Sequence, residues 1–466
     1  MQQVETLGWI AEALGGMLLQ VVAPEGAMAR LWSRITTDSR AAAPGDVFVA
    51  LKGEKFDAHD FAAGAARQGA VAVVCEREVP GVAEAGAVQF VVKDSLAAYG
   101  RIAQVWRARF SLALTAVVGS NGKTTTTQMV AAILAERWGE GRFHATRGNF
   151  NNAVGVPRTL LGLAFEHRAA VIEAGMNHRG EMAPLADMIR PTIVLVTNAQ
   201  REHQANLETV AECAFENGLM ITALPEGGWA VYPADDPSAD VWQSLALARG
   251  VRTVTYSFDP AVAADWQGTF EKGVLTATGP QGQKLSIALS IAGEHNARNA
   301  LGAAAACLAQ GIGIDVIERA LAAFRALPGR GARETVKSSV GEFTLIDDAY
   351  NCNPDSAVAS VKMLGMETAP RIFLFGDMAE LGDRAPLWHA EVGAAAKAAG
   401  VDILWTAGPL SRNAAQAFGG DGGRAFDKRD ELVAALRELP LAGATVTVKA
   451  SNSSGFSKVV AALRAL

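Results

Sequence analysis

Leu112-Ala113-Leu114-Thr115-Ala116-Val117-Val118-Gly119-Ser120-Asn121-Gly122-Lys123-Thr124-Thr125 is the stretch that decides how this chain is read. An apolar run ends in a glycine turn, and the turn opens into a segment carrying Met129, Val130, Ile133 and Leu134. A strand, a Gly-rich turn and a helix in that order form a cradle for phosphate. The N–H groups of the turn and of the helix N-terminus point at anionic oxygens. Gly119 and Gly122 let the backbone come close, Lys123 brings charge, and the Thr124 hydroxyl suits a Mg²⁺ ion. Ser120, Asn121 and Thr125 complete the loop. The full P-loop spacing asks for glycine five residues before Gly122, where Val117 stands. The form here is the shorter G-x-x-G-K-T-T.

Outward from this loop, apolar strands are expected at 170–174 and 192–197, each ending in polar residues. An open α/β sheet presents its site in that way, at the carboxyl ends of its strands. Residues 250–291 read as β-hairpins and 299–310 as a helix stopped by Gly311. A boundary is expected at Leu327-Pro328-Gly329. Beyond it, strands are expected at 343–346, 371–375, 403–406 and 445–449, with helices between. Before the loop, 47–51 and 71–74 read as strands and 61–68 as a helix, and Pro44-Gly45-Asp46 is a turn. The expectation is three α/β domains, 1–110, 111–326 and 327–466.

The composition fits such a chain. Of 466 residues, 50% are hydrophobic and 19% charged, as in ordinary globular enzymes. A net charge of −6 offers nucleic acid no basic footprint. The four cysteines are scattered without a C-x-x-C pair, so they read as small core residues of a reducing compartment. No signal peptide and no apolar run of membrane-spanning length are expected.

Glu173 ends the strand expected at 170–174, on the same sheet edge as the phosphate loop. There a carboxylate can ligate Mg²⁺, or stand solvated. Asn198 and His203 follow the next strand, and His203 reads as a metal ligand or a surface histidine. Asn149, Asn151 and Asn152 lie between Gly148 and Gly155. They suit either a polar substrate or a turn. His295, Asn296 and Asn299 stand at the start of the later helix, as caps or as contacts. Arg330 follows the boundary and reads as a phosphate ligand or a solvated hinge residue. Asp347-Asp348-Ala349-Tyr350-Asn351-Cys352-Asn353 and Gly376-Asp377-Met378 each end a strand, as capped turns or as ligand walls.

Taken together, these segments resemble the Mur ligases of peptidoglycan synthesis over essentially the whole chain. The short phosphate loop has the form this family shares with folylpolyglutamate synthetases. Gly148-Asn149-x-Asn151-Asn152-x-x-Gly155-x-Pro157 resembles a family signature. Glu173-x-Gly175-x-Asn177-His178, Asp347-Asp348-x-Tyr350-Asn351-x-Asn353-Pro354 and Gly376-Asp377-Met378-x-Glu380 resemble the branch that adds D-alanyl-D-alanine. Thr37-Asp38-Ser39-Arg40 and Phe56-Asp57-x-His59 resemble the family's uridine-binding domain. The Asp-Asn-Pro-Arg motif of the sister branch that adds a single amino acid is absent.

The resemblance implies a central ATP-binding domain with a parallel sheet, between a UDP-binding domain and a Rossmann-like C-terminal domain. It implies a cytoplasmic, monomeric, ATP- and Mg²⁺-dependent ligase. Such an enzyme joins D-alanyl-D-alanine to UDP-N-acetylmuramoyl-tripeptide through an acyl phosphate, without nucleic acid or membrane insertion. Lys123, Glu173 and His203 would be catalytic. Gly119 to Thr125, Asn296, Asn299, Arg330, Asp347 and Tyr350 would meet the nucleotide. Asp38, Ser39, Arg40, Asn149, Asn151, Asn152, Asn177, His178, Asn351, Asn353 and Asp377 would meet the other substrates. Thr124, Glu173 and His203 would hold metal.

Two departures stand out. The family usually carries a carbamylated lysine after the His203 turn, and this chain has no lysine between His203 and Pro225. Glu216 is expected to supply that carboxylate directly, with Asn217 the neighbouring candidate. The family's Lys-Gly-Ser-Arg appears here as Lys449-Ala450-Ser451-Asn452.

Overall fold

The computed structural model describes residues 5–53 and 56–466. Among them the strands form sheets of two, five, nine and six strands. The quoted stretch becomes the strand Ala113–Val118, a loop, and the helix Lys123–Trp138. From one edge, the nine-stranded sheet runs Phe143–Ala145, Ala169–Glu173, Ala113–Val118, Ile193–Val196, Trp229–Pro233 and Arg252–Ser257. These strands are parallel, and the inner ones, Ala169–Glu173, Ala113–Val118, Ile193–Val196 and Trp229–Pro233, are largely buried, as in a sheet covered on both faces. Trp266–Glu271, Val274–Thr278 and Lys284–Ala288 complete the sheet, the last two pairings being antiparallel. Val274–Thr278 alternates buried and exposed residues, as a half-covered hairpin strand should.

Registration of this sheet builds the site. Glu173 pairs with Val117 and Val196 with Val118, so the three central strands end at one level. The helix Lys123–Trp138 turns Met129, Val130, Ile133 and Leu134 into an apolar cluster with Ala303, Ala304, Ala305 and Ala306. Those alanines are fully buried, and their small side chains let the helix Glu294–Ala309 lie close to its neighbours. Burying each larger side chain contributes about 1.5–3 kcal/mol.

The helix expected at 299–310 starts at Glu294, five residues earlier. Gly293 is its N-cap residue, so His295, Asn296 and Asn299 lie inside the helix and are not its caps. No apolar periodicity marks that polar first turn, and its start was invisible to a pattern search. The strands expected at 47–51 and 71–74 are Asp46–Val49 and Ala72–Cys75. They sit inside a five-stranded sheet whose other strands, Leu18–Val22, Arg34–Thr36 and Val88–Val92, went unread. All four cysteines are free and buried.

The three α/β regions are joined in different ways. One continuous apolar cluster holds Leu7, Val74 and Ile102 together with Leu114, Ile172 and Val194. The N-terminal sheet is thereby welded to one face of the central sheet. Apolar clusters of the C-terminal region, around Leu374 and Phe375, contain no residue before Val336. That region meets the centre through polar groups. Arg201 reaches Asp355 and Glu391, His203 pairs with Glu380, and Asn121 pairs with Asn353.

Candidate active site

A cavity of about 980 Å³ opens where the central strands end, walled on its far side by the C-terminal region. Its floor is the glycine turn. Gly122 has φ +82°, and a Cβ there would lie 2.5 Å from Asn299 Oδ1, so only glycine fits beside that amide. The segment after Ile193–Val196 fixes the loop from the side. Asn198 Oδ1 accepts from the Asn121 N–H at 2.9 Å, and Thr197 Oγ1 donates to Asn121 O at 2.7 Å. Ser120 Oγ accepts from the Gln200 N–H at 2.9 Å.

Glu173 is 1% exposed. Its Oε1 accepts from Thr124 Oγ1 at 3.1 Å and from Asn151 Nδ2 at 2.7 Å. Its Oε2 has no hydrogen-bond partner. A buried carboxylate oxygen without a partner is costly, and a cation removes that cost. An unpartnered oxygen beside a threonine hydroxyl, on a phosphate loop, suits Mg²⁺, which takes one or two carboxylates and fills its shell from phosphates. Among the described residues no group of three or more His, Cys, Asp or Glu could hold a metal ion.

His203 lies on the cavity wall, in the left-handed region at φ 48°. Its Nδ1 faces Glu380 of the C-terminal region, which leaves Nε2 for another partner. Glu216 is buried but does not line the cavity. Its Oε1 accepts from the Gly180 N–H at 2.9 Å, and its Oε2 has no partner. Asn217, one residue on, reaches the phosphate loop itself, accepting from the Gly119 N–H at 2.9 Å.

The three amides of the 148–157 loop divide. Asn149 and Asn151 line the cavity, and Asn151 holds Glu173. Asn152 also touches the cavity, but its Oδ1 accepts from the N–H groups of Val154 and Gly155 and so caps a turn. Asn177 lines the cavity, whereas His178 is exposed and pairs with Glu181 at 3.0 Å.

Asn296, Asn299, Arg330, Tyr350 and Asn351 all face the cavity. The Arg330 guanidinium stacks 4.3 Å from the Tyr350 ring centroid. Of the adjacent acids it is Asp348, not Asp347, that lines the cavity, because successive strand residues point to opposite faces. Asp348 accepts from the buried Lys449 at 2.6 Å, and Asp347 lies 3.5 Å from Arg464.

Asn353 caps the helix Pro354–Gly365 and also exchanges hydrogen bonds with the Asn121 amide, at 3.0 and 3.2 Å. Asp377 lies off the cavity and accepts from the N–H groups of Leu410 and Ser411, which holds a turn. Ser39 and Arg40 lie in the short 3₁₀ turn Ser39–Ala41 of the N-terminal region, which Asp38 caps, outside this cavity. The Arg40 guanidinium holds the Asp38 carboxyl down to about 2.

Pattern reading missed several residues. Glu202, 5% exposed, pairs with Lys123 at 3.2 Å. Asp235 and Arg298 form a pair at 2.8 Å on the cavity wall, with the guanidinium 4.9 Å from the Phe258 ring. His295, which the sequence did single out, also lines the cavity and is exposed. The only sequence signal for Glu202 was its place next to His203.

This arrangement can hold a polyphosphate on the loop, place a cation at Glu173, and close a third wall from the C-terminal region. Comparison with known proteins points to one family. The family description "Mur ligase middle domain" matches residues 117–307. "Mur ligase, glutamate ligase domain" matches 332–452, and "Mur ligase family, catalytic domain" matches 32–107. The UDP-N-acetylmuramoyl-tripeptide–D-alanyl-D-alanine ligase of Escherichia coli is 36% identical, over 98% of each chain. Its Synechocystis counterpart is 37% identical, over 93% of this chain and 92% of the other. Among solved structures, MurF from Acinetobacter baumannii superposes with a TM-score of 0.88 at 27% identity, covering 100% of both chains.

Proposed function

The chain belongs to the Mur ligase family, and on that premise we propose that it uses ATP to join D-alanyl-D-alanine to UDP-N-acetylmuramoyl-tripeptide. One observation carries the reading. Phosphate loop, partnerless Glu173 oxygen and the Arg330–Tyr350 wall converge on one cavity, in a chain similar from end to end to proteins named for that reaction.

Amide formation from a carboxylate in water is uphill, so the carboxylate must first be activated. The tripeptide's terminal carboxylate oxygen attacks the γ-phosphorus, the bond to ADP breaks, and an acyl phosphate forms. The dipeptide amine then attacks the acyl carbon, and the C–O bond to phosphate breaks to leave the amide. The N–H groups of Gly122 and the following turn, with Lys123, neutralise the transferring phosphoryl group. Catalysis is then charge neutralisation and positioning. Thr124 and Glu173 would hold Mg²⁺, with His203 Nε2 as a further ligand, and bound Mg²⁺ draws charge off the phosphate oxygens. Asn151 fixes the rotamer of Glu173. Asn296, Asn299 and the Arg330–Tyr350 pair flank the nucleotide, and Asn177 and Asn351 face the peptide. Asp38, Ser39 and Arg40 belong to the UDP end.

The division of labour follows 1–110 for the UDP-sugar, 111–326 for ATP, and 327–466 for the dipeptide and part of the nucleotide. Among the described residues no helix is long and apolar enough to cross a membrane. The nucleotide-linked substrate supports a cytoplasmic location. The test is phosphate release from ATP and Mg²⁺ with each substrate omitted in turn. Release that requires both the UDP-linked tripeptide and the dipeptide is expected. Release indifferent to both would sink the reading.

A further inference from the structure

Four groups at the phosphate loop close a ring of hydrogen bonds. The Gly119 N–H donates to Asn217 Oδ1 at 2.9 Å. Asn217 Nδ2 donates to Glu202 Oε1 at 3.1 Å. Lys123 Nζ donates to Glu202 Oε2 at 3.2 Å and to Gly119 O at 2.5 Å. The lysine's third acceptor is Ser120 O at 3.1 Å. Glu202 is 5% exposed and Asn217 fully buried. Asn217 is further fixed by donating to Cys213 O at 2.9 Å.

We infer that Glu202, braced by Asn217, is a positioning residue that sets where the Lys123 ammonium sits and how strongly it is available to phosphate. This rests on the phosphate-loop part of the reading above. Three features support it. The acid is buried and among the described residues its only cationic partner is Lys123, so little solvent screens the pair. The brace ties the acid to Gly119, the residue where the loop begins, so loop and ammonium move together. All three ammonium protons have acceptors, so the lysine can engage a phosphate only by giving up one of them. Glu202 therefore competes with bound phosphate for Lys123 while it fixes the direction from which the charge acts.

That competition gives an outcome a purely structural acid would not. Glu202→Gln keeps the size and an acceptor for Asn217 but removes the competing charge. ADP binding without divalent cation, measured by calorimetry in EDTA, is expected to tighten by about tenfold, while kcat for ligation falls by at least about tenfold. The gain in ADP affinity is expected to disappear in a Lys123→Met background, because the effect runs through the lysine. Unchanged or weaker ADP binding by Glu202→Gln, or a gain that persists with Lys123→Met, would overturn the inference. Should the Gln variant fail to fold, Glu202→Asp keeps the charge but withdraws it from Lys123. Its ADP affinity should exceed that of the wild type, and an equal or weaker affinity overturns the inference. Wild-type phosphate release that ignores the dipeptide would instead sink the ligase reading and leave this ADP test in force.

Discussion

Replacing Arg201 by alanine should loosen the C-terminal region from the rest of the molecule without unfolding either part. Its guanidinium donates to Asp355 Oδ1 at 2.6 Å and to Glu391 at 2.8 and 2.9 Å. The backbone N–H of the same residue donates to Asp355 Oδ2 at 2.8 Å. Arg201 is 23% exposed, Asp355 27% and Glu391 44%, so neither pair is screened like a fully exposed one. The two carboxylates push the guanidinium pKa further up, Glu391 being the larger cause. A fully buried pair that loses one partner costs about 3–5 kcal/mol, and an exposed one at most about 1 kcal/mol. With solvent screening discounted, the two contacts together contribute about 2 kcal/mol to docking. Since the C-terminal clusters share no apolar residue with the centre, polar contacts such as His203–Glu380 and Asn121–Asn353 are what remain to resist that loss. About 2 kcal/mol shifts the docked-to-undocked ratio by about 30-fold. Small-angle scattering of Arg201→Ala should show a larger radius of gyration, growing with salt, and kcat should fall. Arg201→Lys should restore only part of this, since an ammonium cannot fork onto two carboxylates. A scattering profile that matches the wild type at every salt concentration would refute the argument that polar contacts hold this interface.

Three further outcomes are expected. Gly122→Ala puts a Cβ against Asn299 and forces φ +82° on alanine. Thermal denaturation should register about 1–2 kcal/mol of strain, and ADP titration at least about a tenfold weaker affinity. An alanine variant as tight as wild type would show that the loop relaxes freely. Glu173→Gln removes the charge that calls for a cation, so binding of Mn²⁺ with ADP, followed by electron paramagnetic resonance, should weaken at least about tenfold, with Thr124 still in place. Unaltered Mn²⁺ binding would move the metal site elsewhere. Burial chiefly, with His167 and Arg147 adding to it, lowers His144 to about 4, against the bond to Thr159 O that raises it. A depressed folded value means that the neutral ring is favoured by folding. This stability is complete above the unfolded value of about 6.5 and is lost as pH falls towards 4. Roughly 2 kcal/mol should go between pH 6.5 and 4.5, and His144→Asn should flatten that part of the curve of melting temperature against pH. Parallel curves for the two proteins would assign the acid loss to other groups.

How much of the site was legible depended on how local its cause was. The Lys123 loop was readable because strand, glycine turn and helix are adjacent in the chain, and positive φ at Gly122 leaves a glycine in the sequence. Glu173 was readable because parallel strands tend to end at one level. Asp347 and Asp348 were not separable, since their facing depends on register against Thr445–Lys449, about 100 residues away. Asn151 and Asn152 look alike in sequence, yet one holds Glu173 and the other caps a turn.

The sequence by itself determined the α/β class, the phosphate loop and the carboxylate opposite it, because periodicity and turn chemistry act over a few residues. It also carried the family likeness. Only the tertiary structure decided that Asn217, not Glu216, touches the loop, that Glu202 is the buried partner of Lys123, and that Arg201 and His203 reach across to the C-terminal region. Those pairings join groups from different elements. Their energies depend on burial and on distances of about 3 Å, which are set only once the sheets have packed.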